Sequence, residues 1–114
     1  MAETSTRDPA DLLPLTPALF HVLLSLADGD KHGYAILKEV ESRTGGEVVL
    51  STGTLYGIVK RLLADGLIRE ASSLSDDRRT AYRLTPFGRK VALAEAERLR
   101  ALVASARKLL QQPA

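Results

Sequence analysis

The segment from residue 51 to residue 61 concentrates hydroxyl and cationic side chains. They are those of Ser51, Thr52, Thr54, Tyr56, Lys60 and Arg61. Hydroxyl groups donate and accept hydrogen bonds, whereas ammonium and guanidinium groups attract anions and donate several hydrogen bonds each. Such a set suits contact with phosphates and with the edges of bases. The alternative for Lys60 and Arg61 is a helix face that water alone covers.

The same segment has the apolar periodicity of an amphipathic helix. Apolar side chains recur every three or four residues, at Leu55, Ile58, Val59, Leu62 and Leu63. The opposite face carries Gly53 and Gly57, although a glycine inside a helix costs about 1 kcal/mol relative to alanine. The pattern therefore predicts an exposed helix face that has little side-chain bulk and is less stable for that reason.

Catalytic chemistry is not expected from this sequence. The chain has no cysteine, and no histidines, aspartates and glutamates cluster with the spacing of a metal site. We find no glycine-rich phosphate loop after a strand and no credible Ser/His/Asp arrangement. We therefore predict no enzyme, no catalytic residue, no cofactor and no metal site.

Composition predicts one globular domain without a membrane segment. Of the 114 residues, 45% are apolar and 26% are charged, as in ordinary soluble proteins. No apolar run approaches the roughly 20 residues of a membrane helix. Glu3, Asp8 and Asp11 stand where a signal peptide would be basic. We expect a cytoplasmic protein without a membrane partner.

Charge is distributed unevenly along the chain. Residues 1–50 hold four basic and eight acidic residues, whereas residues 51–90 hold eight basic and four acidic ones. The net charges of these two segments are therefore −4 and +4. A local positive field beside an acidic half is expected where one face meets a polyanion, and a solvated charged surface is the alternative.

Three helices precede the strands. The predicted helices span residues 17 to about 27, 32 or 33 to about 44, and 52 to about 65. Thr16 caps the first with Pro17 at its first position, and Ser51 or Thr52 caps the third. Gly45-Gly46 ends the second. Residues 47–50 could form a minimal strand, and residues 1–15 form a flexible or partly docked arm.

A hairpin and a long helix complete the chain. Residues 67–71 and 80–85 are strand-like, and the polar connection between them predicts a β-hairpin. Thr85 and Pro86 then begin a helix of roughly 25 residues. The second half of this helix carries an apolar stripe formed by Leu99, Leu102, Val103, Ala106, Leu109 and Leu110. We expect this stripe to pack on a second copy, the alternative being a helix folded back on its own core.

The order of elements is that of a winged helix-turn-helix domain. The predicted class is α+β, mostly α, with the winged domain at residues 16–85, a two-stranded wing, and a dimerisation helix at residues 86–112. Three strings, in this order, resemble the PadR family of transcriptional regulators: HGYAILKEVE at residues 32–41, STGTLYGIVKRLLADGLI at 51–68, and DDRRTAYRLTPFGR at 76–89. The resemblance covers roughly residues 16 to 110 and is closest to the smaller members with one C-terminal helix.

That resemblance implies a homodimer that binds double-stranded DNA, most often as a repressor. Its third helix would enter the major groove, where Gly53 and Gly57 permit close approach, and its wing would lie along the backbone. The residues expected to contact DNA are Tyr34, Ser51, Thr52, Gly53, Thr54, Tyr56, Gly57, Lys60, Arg61, Arg78 and Arg79. For Tyr34 a half-buried core position is an equal alternative, whereas Tyr82 is expected under the sheet and His21 in a satisfied core position.

Two departures from the family pattern limit what transfers. Proline usually follows the tyrosine of the third helix, and Gly57 stands there, so base preference does not transfer. Some members bind flat aromatic effectors between aromatic side chains, yet this chain has no tryptophan and no aromatic residue after Phe87. A small-molecule effector of unknown identity stays possible in a cleft between the first and last helices. The candidate lining residues are Leu12, Leu13, Val103 and Leu110. The rival hypothesis is a winged-helix module that binds protein and not DNA.

Overall fold

Three short helices form the helix-turn-helix part of the domain: α1 (Pro17–Ser25), α2 (Gly33–Arg43) and α3 (Thr52–Ala64). The structure is a computed structural model that describes residues 7–71 and 79–113. The predicted caps are confirmed, since the hydroxyls of Thr16 and Ser51 accept hydrogen bonds from the backbone N–H groups of Leu19 and Thr54. Gly45 and Gly46 end α2 with positive φ angles of 62° and 85°, which glycine adopts without strain.

A three-stranded antiparallel sheet lies beside the helices. The predicted hairpin is confirmed as β2 (Ile68–Ala71) and β3 (Ala81–Leu84), and a third strand, β1 (Lys31–His32), pairs with the other edge of β3. The wing predicted from the sequence had two strands, and β1 was not predicted. Two residues carry no periodicity, and only pairing with β3 makes them a strand.

The strand predicted at residues 47–50 was wrong. This segment is an extended link without strand partners, and the backbone N–H of Val48 donates instead to the hydroxyl of Thr44 at 3.1 Å. β-Propensity alone cannot make a strand where no neighbouring strand offers hydrogen bonds.

The core joins all three helices to the sheet and to the last helix. Its fully buried members include Leu23, Ile36, Leu55, Leu62 and Val91. Tyr82 is also buried, so its predicted place under the sheet is confirmed. The helix-turn-helix unit therefore rests on a single apolar cluster.

The long helix α4 (Pro86–Leu110) is tied at its start to the junction between α3 and β2. Its predicted cap is confirmed: the Thr85 hydroxyl accepts a hydrogen bond from the N–H of Gly88 at 2.9 Å and donates one to the carbonyl of Gly66 at 2.7 Å. Gly88 and Val91 are buried, whereas the second half of the helix is mostly exposed. α4 thus belongs to the domain at one end and extends away from it at the other.

The N-terminal arm is docked over residues 9–15. Pro9–Leu12 form a short 3-10 helix that packs against α4, and Leu15 is buried. Of the two predicted alternatives, a flexible or a partly docked arm, the docked one holds for this segment. Leu12 and Leu13 pack against the core, and their burial holds the arm in place.

Glu95 is a buried carboxylate on the inner side of α4, only 2% exposed. Arg98 donates to both of its carboxylate oxygens, with distances of 2.7 and 2.8 Å. This hydrogen-bonded guanidinium holds the pKa of Glu95 below its ordinary value of 4.5, although burial opposes the shift. The stability that this ion pair gives to α4 therefore depends on whether the Glu95 carboxyl group is ionised.

We expect Glu95→Gln to lower the free energy of unfolding by about 1–2 kcal/mol at pH 7, as loss of a charged hydrogen bond does. A lowered folded-state pKa gives stability that is present above the unfolded pKa and lost as pH falls through the folded pKa. The difference between the two proteins should therefore shrink below about pH 4 in urea unfolding. Glu97→Gln is the matched control: Glu97 pairs with Arg100 in the same spacing but is 62% exposed, so its removal should change little. Equal losses for both variants would contradict the role of burial.

Candidate nucleic-acid interface

Helix α3 presents one buried and one exposed face. Leu55, Ile58, Val59 and Leu62 are buried, with at most 8% of each exposed. The exposed face contains every residue predicted for DNA contact on this helix and its cap: Ser51, Thr52, Gly53, Thr54, Tyr56, Gly57, Lys60 and Arg61. The structure therefore brings this part of the predicted site together on one surface, which we call the α3 face.

Gly53 and Gly57 are not required by packing within the described chain. A Cβ atom built on either glycine would have no described atom, apart from its own helix backbone and chain neighbours, within 4 Å. Neither glycine has a positive φ angle, so backbone conformation does not require glycine either. The stability that α3 loses at these positions has no compensation inside the described parts of the molecule.

The two cations of the α3 face differ in their surroundings. Among residues 7–71 and 79–113, the Lys60 ammonium takes part in no ion pair and is exposed. The Arg61 Nε lies 3.6 Å from a carboxylate oxygen of Asp65, one turn further along the helix. Asp65 partly offsets the charge of Arg61, so the positive potential is stronger at Lys60 than at Arg61.

The two tyrosines near this face lie in different positions. Tyr34 is 63% exposed at the start of α2, so the half-buried core alternative is wrong; the Lys38 ammonium lies 5.8 Å from the centre of its ring. Tyr56 is 47% exposed, and its phenol lies against Gly33 at the start of α2. Tyr34 is the more open of the two side chains.

The wing tip is placed only in part. Arg79 is exposed, whereas Arg78 lies outside the described residues. The strands themselves carry two further arginines that the sequence analysis did not single out: Arg69 and Arg83 lie directly opposite each other across β2 and β3. Period-two alternation along the hairpin would have placed both on one side of the sheet.

Asp30 engages one of these wing arginines. Arg83 donates to both Asp30 carboxylate oxygens, at 3.0 and 2.8 Å, and this guanidinium lowers the pKa of Asp30. Arg83 is thereby held at the base of the wing. Arg69 is exposed at the same level of the sheet, which adds it to the candidate contacts.

The predicted dimer stripe is largely uncovered in the single chain. The exposed fractions are 55% for Leu102, 50% for Val103, 65% for Leu109 and 83% for Leu110, and Leu99 and Ala106 are partly buried. The alternative in which α4 folds back on its own core is therefore wrong. Isolated exposed leucines are common, but a continuous stripe on one helix is typical of an interface.

A pocket of about 440 Å³ lies between α1 and α4. Its lining is Leu15, Pro17, Phe20, His21, Leu24, Glu95, Arg98 and Leu99. The cleft that we predicted would form in a dimer, whereas this pocket belongs to the single chain, and the predicted lining residues Leu12, Leu13, Val103 and Leu110 do not line it. His21 also differs from expectation, because its Nδ1 is buried without a hydrogen-bond partner among the described residues.

No helix in residues 7–71 and 79–113 is long and apolar enough to cross a membrane. In the same ranges, no three or more histidine, aspartate or glutamate side chains are grouped so that they could hold a metal ion.

A helix-turn-helix with an antiparallel hairpin behind it, and an exposed basic face on its third helix, defines the winged-helix class of DNA-binding regulators. The sequence profile of the PadR-like family of transcriptional regulators matches residues 22–94. The chain belongs to this family, whose members are transcriptional regulators.

Individual relatives agree with this assignment. The chain is 44% identical over 79 residues to transcriptional regulator Rv3488 of Mycobacterium tuberculosis, covering 68% of this chain and 70% of that protein. It is 41% identical over 75 residues to an uncharacterised 37.1 kDa protein of a Streptomyces fradiae transposon, covering 66% of this chain but only 21% of that protein. A transcriptional regulator from Clostridium thermocellum has a similar structure, with a TM-score of 0.71, 30% identity, and coverage of 82% of this chain and 92% of the other.

Proposed function

We propose that this protein binds a pseudo-palindromic operator as a homodimer and represses transcription from it. The observation that carries the proposal is the α3 face, where Gly53 and Gly57 cost helix stability and no packing within the described residues requires them. Close approach of the helix to the floor of the major groove supplies a reason for both. The family assignment supports the same function.

The contacts that we propose fall into two groups. Phosphate contacts position the protein, and Lys60, Arg61 and the wing arginines Arg78 and Arg79 suit them. The start of α3, at Ser51, Thr52 and Gly53, offers backbone N–H groups to a further phosphate. Thr54, Tyr56 and Gly57 belong to the part of the helix that would face the bases, and Tyr34 lies beside it at the start of α2.

A two-fold dimer would place two α3 helices on one side of the duplex. Half-sites would then be spaced by about one helical turn, roughly 34–36 Å, or a multiple of it. The uncovered stripe on α4 supports the dimer. The pocket between α1 and α4 is a candidate place for a small-molecule effector, since it is mainly apolar and His21 is among its lining residues.

Titration of DNA from upstream of the protein's own gene tests the function by mobility shift. We expect a shifted complex at low salt, competition by the same sequence, and little competition by a scrambled one. A chain that binds no DNA at low salt would favour the rival hypothesis, in which this winged helix docks on a protein.

Lys60→Ala should weaken operator binding and reduce the slope of log K against log salt by about one unit, since each neutralised phosphate contributes about 0.9. The matched control is Lys108→Ala, which removes the same charge from an exposed position near the end of α4. Its slope should equal that of the unmodified protein. Equal slopes for all three proteins would exclude a phosphate contact by Lys60.

A further inference from the structure

Gly33 and Tyr56 meet where α2 begins. A Cβ atom built on Gly33 would lie 2.5 Å from the hydroxyl oxygen of Tyr56 and 3.1 Å from its Cζ. Both distances are shorter than ordinary contacts between such atoms. The phenol of Tyr56 therefore occupies space that is open only because residue 33 has no side chain.

The electrostatic influence of Tyr56 extends to the sheet. Burial raises the pKa of the Tyr82 hydroxyl, and Tyr56 raises it further. Tyr82 stands in β3 directly opposite Lys31 of β1. Tyr56 thus connects α3 with the start of α2.

Tyr56 is about half exposed on α3. A helical side chain leans towards the residues three and four positions before it; for Tyr56 these are Gly53, which has no side chain, and Thr52. The next residue is Gly57, which also has no side chain. If its position beside Gly33 were blocked, Tyr56 would have open space for another rotamer on the α3 face.

We propose that Gly33 is a positioning residue for operator recognition: it seats the phenol of Tyr56 against the start of α2 and thereby determines which groups α3 presents to DNA. The inference rests on the proposed function. It assigns to a glycine outside α3 an effect on base preference that acts through Tyr56.

A double-mutant cycle tests this coupling, because the effect of Gly33→Ala is measured in three backgrounds. In the unmodified protein it should weaken operator binding roughly tenfold, equivalent to about 1.4 kcal/mol, and change the sequences selected from randomised DNA. With Tyr56→Phe, which removes the oxygen that lies closest, the effect should be smaller. With Tyr56→Ala it should vanish.

The readouts separate positioning from stability. Thermal unfolding of each variant reports stability, and the NMR signals of the Tyr56 ring should shift in Gly33→Ala. Gly33→Ala alone could fail to fold; recovery of folding in the Tyr56→Ala background would then support the steric coupling. If Tyr56→Phe folds with and without Gly33→Ala and both proteins select the same DNA sequences, the positioning role would be contradicted. An equal loss of operator affinity in all three backgrounds would also overturn the inference. Failure of the unmodified protein to bind the operator would instead contradict the proposed function.

Discussion

Replacing Gly88 with alanine is expected to destabilise the domain by about 2–3 kcal/mol, the upper part of the range for overpacking in a filled core. The added Cβ would lie 2.0 Å from the carbonyl oxygen of Leu67 and 2.8 Å from its carbonyl carbon, and 2.9 Å from Cδ1 of Leu84. Backbone atoms cannot turn aside as a long side chain can. The first turn of α4 would have to move away from the junction of α3 and β2.

That movement would break a capping network. The Thr85 backbone N–H donates to the carbonyl of Leu67 at 3.1 Å, and the Thr85 hydroxyl donates to the carbonyl of Gly66 at 2.7 Å. Displacement of α4 would weaken both hydrogen bonds. Alanine improves helix propensity by about 1 kcal/mol, which offsets only part of the loss.

Denaturant unfolding measures the change, with Gly53→Ala as the matched control. Both glycines are helical, but a Cβ on Gly53 would have no described atom within 4 Å apart from its chain neighbours and its own helix backbone, so the control should gain up to about 1 kcal/mol of stability. Changes of opposite sign in the free energy of unfolding would show that the contact of the added Cβ with its neighbours, and not the loss of a glycine, decides the result. A stabilised Gly88→Ala would contradict the close approach of α4 to Leu67.

Replacing Leu102 and Leu109 together with glutamate is expected to convert the proposed dimer to a monomer. Both side chains are more than half exposed in the single chain and lie on the α4 stripe. An interface that covered them would leave four carboxylates, two from each copy, buried without partners, and burial of such charges is strongly unfavourable. Sedimentation velocity measures the change in mass directly.

Leu93→Glu is the control for this experiment. Leu93 is 64% exposed on the same helix, but at 100° per residue it lies on a different face from Leu102 and Leu109. This variant should remain dimeric. A dimer that survives the double substitution, or is lost with Leu93→Glu alone, would place the interface on another surface.

In the double variant, the loss of free energy of operator binding should exceed the loss of free energy of unfolding. In the proposed complex one copy would contact only one half-site, so the monomer would lose the contribution of the second half-site. Mobility-shift titration of the double variant against a single half-site and a full operator separates the two effects. Equal affinities for both DNAs are expected from the monomer, and a strong preference for the full operator is expected from the dimer.

Local chemistry made most of the helices predictable. Thr16, Ser51 and Thr85 cap helices through hydrogen bonds to N–H groups three residues away, so each signal is contained in a few neighbouring residues. The α3 face followed from periodicity, because buried leucines every three or four residues leave the remaining side chains outside.

Long-range contacts decided the rest. β1 is a strand only because it pairs with β3, some 50 residues later in the chain. Glu95 has the sequence appearance of a surface residue on a charged helix, yet the docked arm and Arg98 bury it. No local sequence pattern predicts strand β1 or the burial of Glu95.

The sequence by itself determined which residues form α3 and which of its faces is apolar, since both depend on interactions within one or two helical turns. The tertiary structure decided where Tyr56 lies. Its phenol rests against Gly33, 23 positions earlier in the chain, and only the packing of two helices brings these residues together.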